Sequence, residues 1–489
     1  MKTTFLREIT LYRYRYIIGY VVFGLLFTAL LLLGIDQVPR GISSVEMNSV
    51  VTSINLNLLS PVATNVIDAP YNMLQKLSVQ FLGLSPTSIR LPSIIIGAVT
   101  GIAIILMLQK WFRKNVALIT GLIIATSVGF LSLSRTGTPL IMTTFWTVLL
   151  LLGATHMLHA VKYRYIWKLL CFMALALLMY SPFGIYPIIV MGIAGIIHPH
   201  VRHQLRQGTW WQHSVLIGAV IIILLPLIIA AVHTPSIMLT LLGLQGIGGF
   251  QVSDIYSNAK EVIGSLFNFT VNNSAEIVKP VFSIATSVLL ILGILKLLTA
   301  SYSARSYMLF IWLFMLAALL IIRPDMVLLV IVPATLILAI GVETLIRQWY
   351  DIFPRNPYAR IVALVPLTVL VISIIGINME RYFYGSHYSP MATTSSAELP
   401  AVRRVLDSPT VDGKQPVYLS VAAQQIGFYD ILRREYPNLR VNDTPSTQAL
   451  PAIVLSQANA QLSDQVPSQI ITADLSSIDR SVLLRVYSK

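Results

Sequence analysis

Four charged residues of this chain stand beside long apolar segments and carry side chains that could do chemistry. Glu46 and Asp68 lie in the polar stretch after the first apolar segment, and Arg135 and Arg323 each follow the end of a later one. A carboxylate can act as a base or orient a reacting group. An arginine can bind a phosphate through two parallel hydrogen bonds. These four residues are therefore the candidates for a functional site.

Both carboxylates also fit a simpler role at the start of a helix. Ser43 and Glu46 have the spacing of a capping box, in which the serine and the acid each satisfy a backbone N–H of the first turn. Asp68 stands two residues before Pro70, and an acid there is a common N-cap. The sequence leaves site and cap open for each of them.

The arginines have alternatives of the same kind. Arg135 could bind ordinary lipid headgroups at the membrane surface. Arg323 and Asp325 flank Pro324 and could form a local ion pair. A further arginine, Arg90, stands just before an apolar segment and is interpreted mainly as a structural anchor.

The elements that must position these residues are membrane-spanning helices. The chain is 56% hydrophobic and only 11% charged, with a mean hydropathy of +0.76, which is typical of a polytopic membrane protein. A bilayer core needs about 20 apolar residues per helix. Eleven segments qualify as candidate spans: 17–34, 92–109, 116–133, 139–160, 168–181, 184–198, 214–233, 281–298, 307–322, 326–345 and 361–377.

The distribution of charge predicts the orientation of these spans. The formal net charge is +14, and the excess of Lys and Arg lies in the N-terminal tail and in every second loop after it. The positive-inside rule places those segments in the cytoplasm. It also disfavours nucleic acid as the explanation of the basic pI. A multi-pass protein of the plasma membrane, with a cytoplasmic N-terminus, is predicted.

The same rule places two long loops, 35–91 and 234–280, on the exterior side. The first is predicted to carry two surface helices, one capped at Ser43 and one over Tyr71–Leu82 with apolar residues at helical spacing. Residues 1–377 are the predicted transmembrane domain. The polar segment 378–489 is predicted to be an exterior soluble α/β domain, with a helix over Ala423–Tyr436 and five short strands. Cys171 is the only cysteine, so a disulfide or zinc framework within the chain is excluded.

Three motifs in this order resemble the GT-C membrane glycosyltransferases. They are Gly83–Ser93 (GLSPTSIRLPS), Trp111–Leu118 (WFRKNVAL) and Ser132–Gly137 (SLSRTG). The chain is most similar to the branch of protein O-mannosyltransferases and lipid A aminoarabinose transferases, and the resemblance is clearest over residues 36–160. It implies a GT-C fold with about eleven transmembrane helices.

The resemblance also implies an activity, partners and roles for the four candidates. A sugar would pass from a polyprenyl-phosphate-linked donor to an envelope acceptor at the exterior face, with membrane lipids around the site and no nucleic acid. Glu46 and Asp68 would be catalytic, while Arg135 and Arg323 would hold the lipid phosphate. A divalent cation assists some members of the family, although no metal ligands are assigned here.

The chain departs from the family pattern at two acids. The segment Pro39–Glu46 (PRGISSVE) has Val45 where the family has the first acid of a pair, and Pro139 and Leu140 replace a later acid. A non-catalytic GT-C-like protein, which binds lipid-linked glycan or scaffolds an envelope complex, is therefore an alternative. A lipid transporter or flippase is less favoured, because transporters usually bury ionisable residues in mid-membrane.

Overall fold

The computed structural model of the chain describes residues 15–39, 41–57, 66–159, 163–245, 251–267, 280–299, 304–352, 357–388, 398–408, 416–442, 451–455, 466–472 and 482–487. The predicted cytoplasmic tail before residue 15 lies outside them, as do parts of the predicted exterior loop 234–280.

Most of the described chain is helical. The first nine helices are α1 (Arg15–Leu32), α2 (Ser44–Ile54), α3 (Ala69–Leu82), α4 (Pro86–Trp111), α5 (Lys114–Ala125), α6 (Val128–Arg135), α7 (Leu140–His159), α8 (Arg164–Leu178) and α9 (Ile185–Ile197). The next nine are α10 (Pro199–Arg206), α11 (Trp210–His233), α12 (Ser236–Leu241), α13 (Asp254–Phe267), α14 (Ile284–Thr299), α15 (Ala304–Ile322), α16 (Ile331–Ile352), α17 (Pro357–Tyr388) and α18 (Glu398–Leu406). A 3₁₀ turn, Pro324–Val330, joins α15 to α16.

Fewer helices qualify as membrane spans than the sequence predicts. Within the described residues six helices are long and apolar enough to cross a bilayer, or up to eight if two sharply bent pairs each count as one span. Two shorter apolar segments, Val21–Leu32 and Ile284–Thr299, match predicted spans as well. The exact number of spans stays a prediction, but the predicted class of a polytopic α-helical protein is confirmed.

The helix α4 is the central element. It begins with a capping box between Ser85 and Ser88, which satisfies N–H groups of the first turn. Gly97 and Gly101 lie where an added methyl group would collide with Ser134 of α6 and Phe27 of α1. These glycines let the neighbouring helices approach α4 closely, so that α1, α6 and the first loop converge at its N-terminal end.

The predicted third span is broken. The helices α5 and α6 meet at an angle of 63°, and Ser127 caps the N-terminus of α6 by accepting a hydrogen bond from the N–H of Phe130. The break turns α6 so that its last residue, Arg135, reaches the chain that enters the first loop.

The first loop carries the two predicted helices, α2 and α3. The capping box of Ser43 and Glu46 is present at the start of α2. In α3 the polar side chain of Gln75 is buried, while four large apolar side chains point outward: Met73, Leu74, Leu77 and Phe81. An outward apolar stripe on a short helix is what a helix lying in the membrane interface requires.

The C-terminal segment forms a five-stranded mixed sheet. The strands are β1 (Val417–Ser420), β2 (Leu439–Asn442), β3 (Ala452–Leu455), β4 (Gln469–Thr472) and β5 (Val482–Tyr487). Their order is β2-β1-β3-β5-β4, with β1 parallel to β2 and β3, and β5 antiparallel to β3 and β4. The sequence predicts all five of these strands.

The predicted helix over Ala423–Tyr436 is helical only from Ala423 to Arg434, and it is not one continuous α-helix. Three short helical turns replace it: Ala423–Gln425, Ile426–Tyr429 and Asp430–Arg434, of which the first and last are 3₁₀ turns. Tyr429 and Leu432 are both buried, and the three-residue period of a 3₁₀ turn brings such a pair onto one side.

The sheet and the first loop share one hydrophobic core. Met47, Val50 and Val79 of the loop helices pack with side chains of β1, β2 and the turns before β2. The carboxylate of Glu435 accepts a hydrogen bond from the N–H of Leu84 at 2.7 Å. The C-terminal segment therefore lies on the same side of the membrane domain as Glu46. The boundary between residues 377 and 378 stays a prediction.

Candidate active site

Glu46 lies in a fully buried ion pair with Arg90. Its Oε1 accepts hydrogen bonds from Arg90 Nε at 2.9 Å and from the N–H of Gly137 at 2.8 Å. Its Oε2 accepts from Arg90 Nη2 at 3.2 Å and from the N–H of Ser43 at 3.0 Å. Burial alone would raise the pKa of Glu46, but the charge and hydrogen bonds of Arg90 and the two N–H groups lower it below its ordinary value.

Arg90 connects this pair to the chain that leaves α1. Its Nη1 donates to the carbonyls of Ile35 at 2.8 Å and Pro39 at 3.0 Å, and its Nη2 donates to the carbonyl of Gly41. All these groups are inside the protein. The interpretation of Arg90 as a structural anchor agrees with these contacts, and Glu46 is its counter-charge.

The side chain of Arg135 is also buried, and its guanidinium donates hydrogen bonds to backbone carbonyls. Its Nη1 donates to the carbonyl of Leu30 at 2.9 Å, and its Nη2 donates to Leu33 at 2.6 Å and Val38 at 2.8 Å. The guanidinium lies 5.0 Å from the ring centre of Phe383, a cation–π distance. Carbonyls at the C-terminal end of α1 have no partner within the helix, and Arg135 supplies one.

A cavity of about 260 Å³ lies next to this buried cluster. Its walls come from the start of α2, the residue before α3, the end of α6 and the start of α7, the turn before α9, and the 3₁₀ turn before α16. Two carboxylates line it, Asp68 and Asp325, together with hydroxyls of Ser132, Thr136 and Thr138. Neither Glu46 nor Arg135 lines this cavity.

Asp68 is held in an unusual backbone conformation that turns it toward the cavity. Its φ of 55° is left-handed, and its N–H donates to the carbonyl of Tyr180 at 2.8 Å. It occupies the N-cap position of α3, but its side chain makes no capping hydrogen bond, so the cap interpretation is wrong in that respect. Its Oδ1 has no hydrogen-bond partner among the described residues.

Burial raises the pKa of the Asp68 carboxyl to about 7, and a side-chain hydrogen bond with Ser181 opposes only part of that rise. A carboxyl of this kind exchanges its proton near neutral pH, which is the property that general acid–base catalysis needs. Ser181 belongs to the turn between α8 and α9, a segment to which the sequence pattern assigns no functional residue.

Val45 lines the cavity, whereas the next residue, Glu46, does not. Successive residues of an α-helix point about 100° apart. The side chain of Val45 is 43% exposed, while that of Glu46 is buried against Arg90. The position at which this chain lacks the first acid of the family pattern is thus the one that faces the open space.

Arg323 and Asp325 form the local ion pair that is one of the two predicted alternatives. Arg323 Nη2 lies 2.8 Å from Asp325 Oδ2, and Nε lies 3.1 Å from Oδ1. The pair is partly exposed, Asp325 lines the cavity, and the Arg323 guanidinium lies 5.9 Å from the ring centre of Phe183, another lining residue. The structure therefore brings Asp68, Asp325 and Arg323 to one opening. The sequence pattern indicates Asp325 only as a partner of Arg323.

A small apolar cleft of about 20 Å³ lies beside the cavity, between α7, α9, α15 and α16. It shares the lining residues Thr143 and Phe183 with the cavity and is lined further by Trp312, Leu316 and Leu319. This side of the cavity is therefore more apolar than the side that carries Asp68 and Asp325.

The carboxylates of the cavity are a poor set of metal ligands. Divalent cations such as Mg²⁺ and Ca²⁺ take several oxygen ligands. Asp325 is paired with Arg323, and within the described ranges no group of three His, Cys, Asp or Glu residues comes together. The residues that line this cavity therefore do not fit a divalent cation.

The chain is similar to known membrane glycosyltransferases. Residues 70–229 match the family model of dolichyl-phosphate-mannose-protein mannosyltransferases. The structure of ArnT from Cupriavidus metallidurans bound to undecaprenyl phosphate is 12% identical, with a TM-score of 0.55 over 97% of this chain and 98% of that chain. No curated protein matches the chain at the level of sequence.

A second similar structure comes from an archaeon. The Archaeoglobus fulgidus oligosaccharyltransferase, tethered to an acceptor peptide, is 13% identical, with a TM-score of 0.52 over 88% of this chain and 64% of that chain. The chain has the fold of the GT-C membrane glycosyltransferases. The predicted resemblance to the O-mannosyltransferase and aminoarabinose transferase branch of that superfamily is confirmed.

Proposed function

We propose that this protein is a membrane glycosyltransferase that moves a sugar from a polyprenyl-phosphate-linked donor to an acceptor of the cell envelope, at the exterior membrane face. The observation that carries the proposal is Asp68, a buried carboxyl with a raised pKa and an unpartnered oxygen at the cavity. The GT-C fold, which this chain shares with the ArnT that binds undecaprenyl phosphate, supports the class of donor.

Asp68 would act as the base. In the reaction the acceptor oxygen forms a bond to the anomeric carbon, the bond from that carbon to the phosphate oxygen breaks, and the polyprenyl phosphate leaves with the electron pair. The acceptor loses its proton to the Asp68 carboxylate. Because the pKa of Asp68 is about 7, a large fraction of the group is ready to accept that proton at neutral pH.

The leaving phosphate requires a cation, and Arg323 is the best placed candidate. Its guanidinium is partly exposed beside Phe183 at the edge of the cavity, and it would exchange Asp325 for the phosphate. Arg135, the other predicted phosphate ligand, already donates to three carbonyls.

Glu46 has a different part in this proposal. Both of its oxygens are occupied by Arg90 and by backbone N–H groups, so it would position α2 against α4 without touching the reacting atoms. The acid predicted as catalytic on the basis of the family pattern would then be a positioning residue.

The test is transfer of labelled sugar from a polyprenyl-phosphate donor by the purified full chain in nanodiscs. Asp68→Asn should lower the rate of transfer by about 10²–10⁴-fold while donor binding persists. Asp254→Asn is the matched control, because Asp254 is an acid of the second predicted exterior loop that does not line the cavity. Full transfer by Asp68→Asn would exclude Asp68 as the base.

A non-catalytic protein that binds lipid-linked glycan is the second candidate, and Val45 favours it. An apolar side chain lines the cavity at the position where the family pattern has an acid. Donor binding without turnover by the wild-type chain, with any acceptor fraction of the envelope, would support this candidate over the enzyme.

A further inference from the structure

A second large cavity lies at the opposite end of the membrane domain. It has a volume of about 360 Å³ and is formed by the last turns of α14 and α16 and the first turn of α15. The helix α4 connects the two regions, since its N-terminal end carries Arg90 and its C-terminal end is followed by Phe112, which contacts this second region. With 26 residues α4 is about 39 Å long.

Three cations from three different helices line this cavity: Lys296 of α14, Arg305 of α15 and Arg347 of α16. The positive-inside rule predicts that this face is cytoplasmic. Like charges repel one another, so the convergence of three cations on one hollow makes the binding of an anion there favourable.

The protein supplies only part of the compensating negative charge. Arg347 Nη2 lies 3.1 Å from Glu343 Oε1, an ion pair within one helix face. Asp351 also lines the cavity but is exposed to solvent. Glu343 also attracts the Arg305 guanidinium electrostatically, although no carboxylate among the residues that the structure describes lies within ion-pair distance of Lys296 or Arg305.

Arg305 is held in place by an aromatic ring. Its guanidinium lies 4.7 Å from the ring centre of Phe112, so one flat face of the group is covered. A guanidinium held by one face can still donate two parallel hydrogen bonds from its edge. The N-terminus of α15, a helix of 19 residues, adds a positive potential at the same place.

We infer that this cavity binds a phosphate group, carried either by an anionic lipid of the adjacent leaflet or by a soluble phosphate ester. Basic pockets between transmembrane helices at the cytoplasmic surface have the chemistry to hold lipid phosphates. Thr344 and Gln348 on the cavity wall are polar neighbours of the same site. The site is separate from the Asp68 cavity, so it does not depend on the proposed glycosyl transfer.

The test is native mass spectrometry of the full chain in detergent, titrated with three probes. They are dioctanoyl phosphatidylglycerol, dioctanoylglycerol (the same acyl chains without a phosphate) and inorganic pyrophosphate. Selective binding of phosphatidylglycerol over dioctanoylglycerol identifies a lipid as the source of the phosphate, and binding of pyrophosphate identifies a soluble one. Equal affinity for phosphatidylglycerol and dioctanoylglycerol with no binding of pyrophosphate, or binding of none of the three, would overturn the inference, because no phosphate would then be recognised.

Variants locate the site. Arg305→Gln and Lys296→Gln should each weaken binding of the selected probe by about tenfold, the effect expected for the loss of one charged hydrogen-bonding group. The matched control is Arg113→Gln, because Arg113 is an exposed cation of the same predicted face that does not line the cavity. An equal loss in Arg113→Gln would contradict a defined site. If Arg305→Gln fails to fold, Lys296→Gln, at an exposed position, still decides the question.

Discussion

The two carboxylates of the first loop, Glu46 and Asp68, are both buried, yet their surroundings differ in every respect. Glu46 accepts four hydrogen bonds, two of them from Arg90, and its pKa is lowered. Asp68 has an unpartnered oxygen, faces a cavity, and has a pKa of about 7. A buried acid with all its acceptor sites filled stabilises a structure, whereas one left short of partners is available for a reaction.

The largest effect should follow from Asp68→Asn. The amide keeps the shape of the side chain but cannot accept a proton, and a missing general base costs about 10²–10⁴-fold in rate. We expect kcat for sugar transfer to fall by that factor with no fall in the unfolding temperature. A rate close to that of the wild type would exclude Asp68 as the base and remove the functional difference proposed between the two carboxylates.

Glu46→Gln should have the opposite effect, a loss of stability with little change in the rate of transfer. Removing one member of a buried ion pair leaves Arg90 uncompensated, which typically costs about 3–5 kcal/mol of stability. We expect a clear fall in the unfolding temperature of the detergent-purified chain, and in any folded fraction a rate close to normal.

The control for Glu46→Gln is Asp430→Asn, which removes an exposed ion pair with Arg433. That change should cost under about 1 kcal/mol, since exposed pairs contribute little. A folded, stable and inactive Glu46→Gln would contradict the positioning role and return Glu46 to the chemistry.

The pH dependence of stability should further distinguish Asp68 from Glu46. Burial favours the protonated form of Asp68, so the folded chain holds this proton more tightly than the unfolded chain. The stability that this provides is complete below about pH 4 and is lost as the pH rises through about 7. Asp68→Asn should therefore gain thermal stability relative to the wild type at about pH 8 and match it at about pH 4.

The ionisation of Asp68 should also affect activity, but here the change with rising pH is an increase. Transfer by the wild type should increase as the pH rises through about 7, because the base must be ionised. Profiles of kcat/KM between about pH 5 and pH 9 test this directly. A flat profile would exclude Asp68 as the titrating base.

Val45→Asp should have the smallest effect. It tests whether a second acid in the cavity can replace Asp68 as the base. Val45 is partly exposed and lines the cavity, so the new carboxylate has space and solvent. We expect part of the transfer activity to return when Val45→Asp is added to Asp68→Asn. The matched control is Ser44→Asp, at an exposed neighbour that does not line the cavity.

Much of this loop is predictable from local sequence. The capping box at Ser43 and the helix α3 follow from short-range sequence patterns. The five short strands of the C-terminal segment follow from such patterns as well. The sequence cannot say which of Val45 and Glu46 faces the cavity, because a rotation of α2 by one residue exchanges them.

The raised pKa and the unpartnered oxygen of Asp68 cannot be predicted from the sequence for another reason. Its conformation depends on the carbonyl of Tyr180 and its hydrogen bonding on Ser181, which lie more than a hundred residues further along the chain. A tertiary contact of this kind leaves no periodicity in the sequence. The helix predicted over Ala423–Tyr436 is divided into short turns for a related reason, since its Phe428, Tyr429 and Leu432 pack into the core shared with the first loop.

The core shared by the sheet and the first loop has a consequence for how the chain can be altered. Leu84 and Glu435 are in direct contact, and the start of α2 and the residue before α3 line the cavity. Removing the sheet would strip Met47, Val50 and Val79 of their apolar neighbours and loosen the two helices that carry Val45 and Asp68. A truncated protein would thus be expected to lose the pocket geometry itself, even though the five strands contribute no residue to the pocket wall.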